Sequence, residues 1–294
     1  KMLKAFELTC LYNTNMDNMT KELILKNTNL IDNSFMAHRE ARQSFINILK
    51  SGRAYNTLEE MHRLRVLGRI IPAFEEIACK VQHDMYHIYT IDAHCLFAVR
   101  ELERLRTTGY KMEFFLLATI FEEVSRPELL TLAVLLHDIG KAKGKGHAEK
   151  GAEMITGILE AMGFSEQDIE LVRFLVRYHL ILPDTAQGRD IHDEKLVINF
   201  AKTVGSIERL NLLYLLTFAD IRAVGPEVWN QWKAALFQEL YFKALTVIER
   251  GEFEPEEAVK RIPKILEKVA SILEGETPQD MIKNYFHLLP NRYF

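Results

Sequence analysis

Apolar residues recur along this chain at the three-and-four spacing of helices, and the alternation that marks half-buried strands is nearly absent. The clearest stretch begins at Pro127, well suited to a first helical turn, and continues as ELLTLAVLL to residue 136. Ser165 with Asp168 three residues on reads as a capping box opening EQDIELVRFLVRYHL, and Ser206 opens IERLNLLYLLTFADIR in a similar way. Pro255 and Pro263 punctuate the C-terminal helices, and GETPQD at 275–280 reads as a loop. The pattern predicts an all-α protein of roughly ten or more helices, without repeats. Residues 1–72 differ from the rest of the chain. They read as short helices joined by polar turns (NTNMDN, KNTN, KSGRAYN) and end at LGRIIPAF, so a smaller helical segment is expected before a larger helical domain over 73–294.

Composition narrows the function classes. A length of 294 residues allows one large domain or two smaller ones with a substantial core. A net charge near −4 gives no electrostatic case for a nucleic-acid binder. The longest apolar run, about ten residues near LNLLYLLTFA, is too short to span a membrane. Cys10, Cys79 and Cys95 cannot all pair internally and form neither a CxxC nor a zinc pattern, which points to a reducing cytoplasm. There is no Gly-Ser followed by Asp-x-Asp, hence no nucleotidyltransferase metal site. The chain opens on KMLKAFEL in mid-helix style, and the expectation is a fragment of a longer protein.

Chemistry concentrates in LLHDIGKAKGKGHAEKGAEM, residues 135–154, where an apolar run ends in His137-Asp138 and a glycine- and lysine-rich loop leads to His147. The dipeptide alone proves little, since it recurs at His83-Asp84 and His192-Asp193. What singles out the middle pair is its company. His94 lies early in the amphipathic TIDAHCLFAVRELERL, His179 extends the stripe Val172, Leu175 and Val176, and Asp220 follows Leu213 and Leu216. A carboxylate on an apolar face is costly unless a cation meets it. No lysine or arginine lies one turn before Asp220 on its face, although Arg222 is close in sequence. A divalent metal supplies the missing charge and accepts imidazole and carboxylate ligands together. Lys141, one turn after Asp138, is expected beside a phosphate as a point charge, with Arg222 as a second candidate contact. Gly140, Gly144 and Gly146 would let the loop bend and bring backbone close to substrate. Lys143, Lys145 and Lys150 read as a solvated turn. His38, His62, His83, His192 and His287 read as ordinary core or surface histidines.

The order His94, His137-Asp138, His147, His179, Asp220 resembles the HD phosphohydrolase superfamily. That resemblance implies that His94, His137, Asp138 and Asp220 hold one ion, and that His147 and His179 hold a second with Asp138 bridging. Two ions about 3.5–4 Å apart would clamp a phosphoryl group and activate a water. The metal is left open among manganese, magnesium, iron, cobalt and nickel. HDIGK also occurs in cyclic-dinucleotide phosphodiesterases, but those continue with His-Glu and Gly-Tyr-Pro where this chain has YHLILPDTAQG.

LGRIIPAFEEIACKVQHDMYHIYTIDAH, FADIRAVGPEVWNQWKAALFQELY and MIKNYFHLLPNRYF resemble more narrowly the bifunctional uridylyltransferase/uridylyl-removing enzymes of the PII nitrogen-signalling protein. The likeness runs from about residue 55 to the end. Residues 1–72 are more loosely similar to the helical segment after that family's transferase domain. The resemblance implies hydrolysis of the phosphodiester joining UMP to a PII tyrosine, with Asp138 and Lys141 catalytic and His87 a candidate general acid. It also implies transferase and ACT domains elsewhere in the full-length protein. Two alternatives stay open: an HD hydrolase of a small nucleotide, and a non-catalytic, metal-stabilised regulatory module.

Overall fold

The structure is a computed structural model and describes residues 1–32, 34–81, 89–225 and 227–251. Among these residues it is helical, with no strand beyond an isolated bridge between Val81 and Thr90. The first part holds α1 (Met2–Tyr12), α2 (Asn18–Lys26), α3 (Arg39–Lys50), α4 (Ala54–Arg63), and the short α5 (Val66–Ile70) and α6 (Pro72–Glu75). Then come α7 (Ile91–Arg104), α8 (Thr108–Glu113), α9 (Phe115–Glu122) and α10 (Pro127–Leu136). A 3₁₀ turn (Ile139–Lys143) leads to α11 (His147–Ala161), α12 (Glu166–Tyr178) and α13 (Ile181–Gly188). The last described helices are α14 (Glu194–Val204), α15 (Ile207–Val224) and α16 (Gln231–Arg250). No helix among the described residues is long and apolar enough to cross a membrane.

Residues Lys1–Gly188 and Asn211–Gln238 form one compact unit. Its centre is α10, buried at each position from Glu128 to Leu136. A helix apolar on all sides is stable only when surrounded. Here α3, α7 and α12 pack against α10. Buried Glu128 anchors its first turn, taking Arg126 at 2.8 Å and Lys50 of α3 at 3.3 Å. Residue 72 therefore lies inside this unit, and helices from both sides of it touch. α4 packs on α7, where His62 Nε2 meets the buried Asp92 carboxylate at 2.8 Å.

Sequence punctuation is realised with one change. Pro127 occupies the first turn of α10. Ser165 caps α12 by accepting the Asp168 N–H at 3.2 Å, while the Asp168 carboxylate takes Arg126 at 3.0 Å. Ser165→Ala should therefore cost about 1 kcal/mol, read as a lowered denaturant midpoint at unchanged m-value. Ser206 likewise accepts the Arg209 N–H.

Among the described residues, Arg189–Leu210 and residues 239–251 belong to the second unit. It contains the third His-Asp dipeptide, whose role is local. Asp193 caps α14 through the Lys195 N–H, and His192 lies beside Lys243. His83, His87, His287, Pro255, Pro263, GETPQD and the tail MIKNYFHLLPNRYF lie outside the described residues.

Candidate metal centre

His137 is the C-cap of α10 and His179 the C-cap of α12. Each folds its ring back onto its own helix. His137 Nδ1 sits 2.8 Å from the Val134 carbonyl and His179 Nδ1 2.7 Å from that of Val176. The last-turn carbonyls of a helix lack intrahelical donors, and a carbonyl can only accept. Both histidines must therefore carry the proton on Nδ1, which leaves the Nε2 lone pair aimed at the centre. The two helix C-termini also bring partial negative charge to this place, which favours a cation there.

Asp138 stands between these rings, fully buried. Its Oδ2 faces His137 Nε2 at 3.4 Å and His94 Nε2 at 3.9 Å. Its Oδ1 faces His147 Nε2 at 3.4 Å and His179 Nε2 at 3.9 Å. Two groups thus share one carboxylate: His94, His137, Asp138 and Asp138, His147, His179. In each, the donor atoms lie within 4.8 Å of one another. Asp220 of α15 reaches the first group from the other side, with Oδ1 2.9 Å from His94 and 3.5 Å from His137.

The electrostatics call for a cation. Burial would raise the Asp138 pKa, but His137 and then Lys141 outweigh it and hold the carboxyl well below its ordinary range. Burial likewise works against ionised Asp220, yet His137 and His94 hold it ionised. Burial disfavours charge on His137, but the two carboxylates prevail and push its pKa above the usual histidine value. His179 goes the other way: burial, then the charge on His137, pushes it down to about 4. Burial also lowers His147. Without a metal, two ionised carboxylates draw a proton onto His137. His137 Nε2 and His147 Nε2 are buried and have no hydrogen-bond partner. Lone pairs directed at carboxylates, with nothing between them, fit a divalent ion well.

Lys141, expected at a phosphate, lies on Asp138 Oδ2 at 2.6 Å. Arg222 donates to the Tyr110 hydroxyl at 3.1 Å and lies 3.7 Å from the Glu101 carboxylate. Glu101 and Tyr110 escaped notice in the sequence. The signal was there, since Glu101 falls seven residues after His94 on the same apolar face of α7. The loop lysines are partly engaged: Lys143 pairs with Glu76 at 2.6 Å, and Lys150 donates to the Lys143 carbonyl. Gly140 brings backbone close to α11, as its position against His147 and Gly151 shows.

Residues 113–204 match the family described as HD domain. This stretch is an HD domain. The HD match includes His137, Asp138, His147 and His179, and the fold adds His94 and Asp220 from outside it. HD domains are metal-dependent phosphohydrolases, and the imidazole–carboxylate cluster fits that chemistry. Residues 1–70 match the family described as the uridylyltransferase GlnD third domain. The chain is 40% identical over 233 residues to a bifunctional uridylyltransferase/uridylyl-removing enzyme of Acinetobacter baumannii strain ACICU, covering 79% of this chain and 26% of that protein. Proteins of the same name from Acinetobacter baylyi and Nitrosococcus oceani are 35% identical over 276 residues and 39% identical over 265. Those matches cover 94% and 89% of this chain, and 31% and 30% of the relatives. The chain thus spans between a quarter and a third of the length of these relatives.

Proposed function

We propose that this chain is a metal-dependent phosphodiesterase that removes UMP from a tyrosine of uridylylated PII, as the uridylyl-removing part of a longer nitrogen-sensing enzyme. In this reading the other parts of that enzyme include transferase and ACT domains. The observation that carries the proposal is the placing of Asp138, with one oxygen toward His94 and His137 and the other toward His147 and His179. His94, His137, Asp138 and Asp220 would hold one ion, and His147 and His179 a second, with Asp138 shared. Such ions supply Lewis-acid charge at phosphoryl oxygens and make a water nucleophilic at neutral pH. The chain's own residues do the rest. Nδ1-protonated His137 and His179 keep their Nε2 atoms facing inward, and His94, His137 and Asp138 are buried. Lys141 transfers from Asp138 to a non-bridging oxygen of the substrate. A tyrosine leaving oxygen needs little protonation help, which leaves His87 a minor part as general acid.

Manganese-loaded chain should hydrolyse bis-p-nitrophenyl phosphate and prefer uridylylated PII over free nucleotides. A preference for nucleotides would make it a small-nucleotide hydrolase, and inertness with manganese, magnesium, iron, cobalt and nickel alike would make it a regulatory module. Elemental analysis of the purified protein identifies the metal and its stoichiometry. Lys141→Gln should keep both ions, because it removes a cation competing for Asp138 Oδ2. It should lower kcat/KM on the diester by roughly 10²-fold. Unchanged turnover would take Lys141 away from the phosphate.

A further inference from the structure

Glu101 is one of the more deeply buried carboxylates of the molecule, and the metal-site chemistry makes no use of it. It lies two turns beyond His94 on α7. Its Oε2 accepts the Tyr110 hydroxyl of α8 at 2.7 Å and lies 3.7 Å from Arg222 Nε of α15. Its Oε1 takes Arg104 at 3.2 Å and Arg100 at 3.3 Å. Arg222 donates to the same Tyr110 hydroxyl, and its guanidinium lies 5.4 Å from the centre of the Phe114 ring. Phe114 in turn meets Phe218, two residues before Asp220, edge-on at 4.9 Å.

The same two helices, α7 and α15, are thus joined twice. One joint is His94–Asp220 at the metal centre. The other is Glu101–Arg222, with the Tyr110 hydroxyl bonded to both. A buried carboxylate surrounded by guanidinium and phenol donors has few alternative arrangements, because each would leave a charge unpaired. We propose that Glu101, Tyr110 and Arg222 form a positioning strut that sets the α7–α15 separation and so holds His94 and Asp220 at ligand distance. This rests on the metal reading above. None of the three belongs to the imidazole–carboxylate cluster. They act through His94 and Asp220.

The test uses the full chain and manganese as the probe. Mn²⁺ affinity is measured by calorimetric titration, kcat and KM on bis-p-nitrophenyl phosphate are determined separately, and melting is followed in EDTA. Glu101→Gln and Arg222→Met should each weaken Mn²⁺ binding at the first position roughly tenfold, with kcat falling more than KM rises. The double variant should be little worse than either single one, because the strut works as a unit. Arg222→Lys should recover part of the loss. Tyr110→Phe removes only a hydroxyl and should give a smaller loss in the same direction. It decides the matter if the charge variants fail to fold. Metal affinity equal to wild type, with only the EDTA melting temperature lowered, would overturn the strut while leaving the metal site intact. If the wild-type chain takes up no Mn²⁺, the metal reading fails and the strut fails with it.

Discussion

Asp138→Asn should empty both ion positions together and lower phosphodiester turnover by on the order of 10³-fold or more. The side chain is nearly isosteric, so the expected effect comes from charge and donor chemistry. Asp138 offers Oδ2 to His94 and His137 and Oδ1 to His147 and His179. A carboxamide loses the negative charge shared between the two groups. It also turns one of the two atoms into an N–H donor, which cannot ligate. With Nδ1 of His137 and His179 already committed to Val134 and Val176, that N–H would satisfy an Nε2 lone pair and compete with any ion. Lys141 would lose its partner at 2.6 Å as well. His147→Ala gives the contrast, because it removes a donor from only one group and should leave about half the metal. Elemental analysis beside turnover of bis-p-nitrophenyl phosphate reads both. A variant at position 138 that keeps two ions and full turnover would dissolve the shared-carboxylate arrangement. One that loses a single ion would show that the groups bind independently.

What could be read from the sequence came from energetic necessity. His179 and Asp220 stood out because a polar side chain in a periodic apolar stripe must find a partner, and both meet theirs at the cluster. Pro127 and the run to Leu136 foretold a buried helix ending at His137. Identity of residue type was thus legible, whereas orientation was not. Nothing in the letters says that His137 and His179 bend back onto Val134 and Val176, yet that contact fixes which nitrogen is free. Arg222 shows what closeness in sequence leaves open. It lies two residues from Asp220, which places it about 200° around a helix, and its long side chain runs to Tyr110 and Glu101. Lys141, three residues from Asp138 in a 3₁₀ turn, shares a face with it and pairs with it. The short helices before residue 72 read as a smaller segment because their turns are polar. α1 packs within the segment on α3 and α4, whereas their further partners, α10 for α3 and α7 for α4, lie too far along the chain for any local pattern to show.

Gly140→Ala should lower stability by about 3 kcal/mol, a melting drop of roughly 6–12 °C for a chain of this size. It should also cost the second ion before the first. Gly140 sits in the turn after Asp138, where that turn is pressed against the first turn of α11. A Cβ built there would lie 2.0 Å from the His147 carbonyl oxygen and 2.5 Å from the Gly151 N. Both obstacles are backbone, so no side chain can swing aside. Relief requires the turn and the helix to part. Gly151 is wedged as well, since a Cβ there would meet Val176 Cγ1 at 3.1 Å and the Gly140 N at 3.3 Å, so α11 cannot simply slide along α12. The start of α11 must move away from Asp138, carrying His147 with it. His147 Nε2, 3.4 Å from Asp138 Oδ1, would then pass beyond ligand reach. His94 and His137 belong to α7 and α10 and would stay in place. Gly144, whose φ of 81° favours glycine, has nothing within 4 Å of its Cβ position. Gly144→Ala should therefore cost about 1–3 kcal/mol through backbone strain alone and leave metal content at two. The paired measurement is melting in EDTA with metal stoichiometry after Mn²⁺ loading. Gly140→Ala protein that retained both ions and melted like wild type would mean that the turn and α11 are not in contact as the geometry places them.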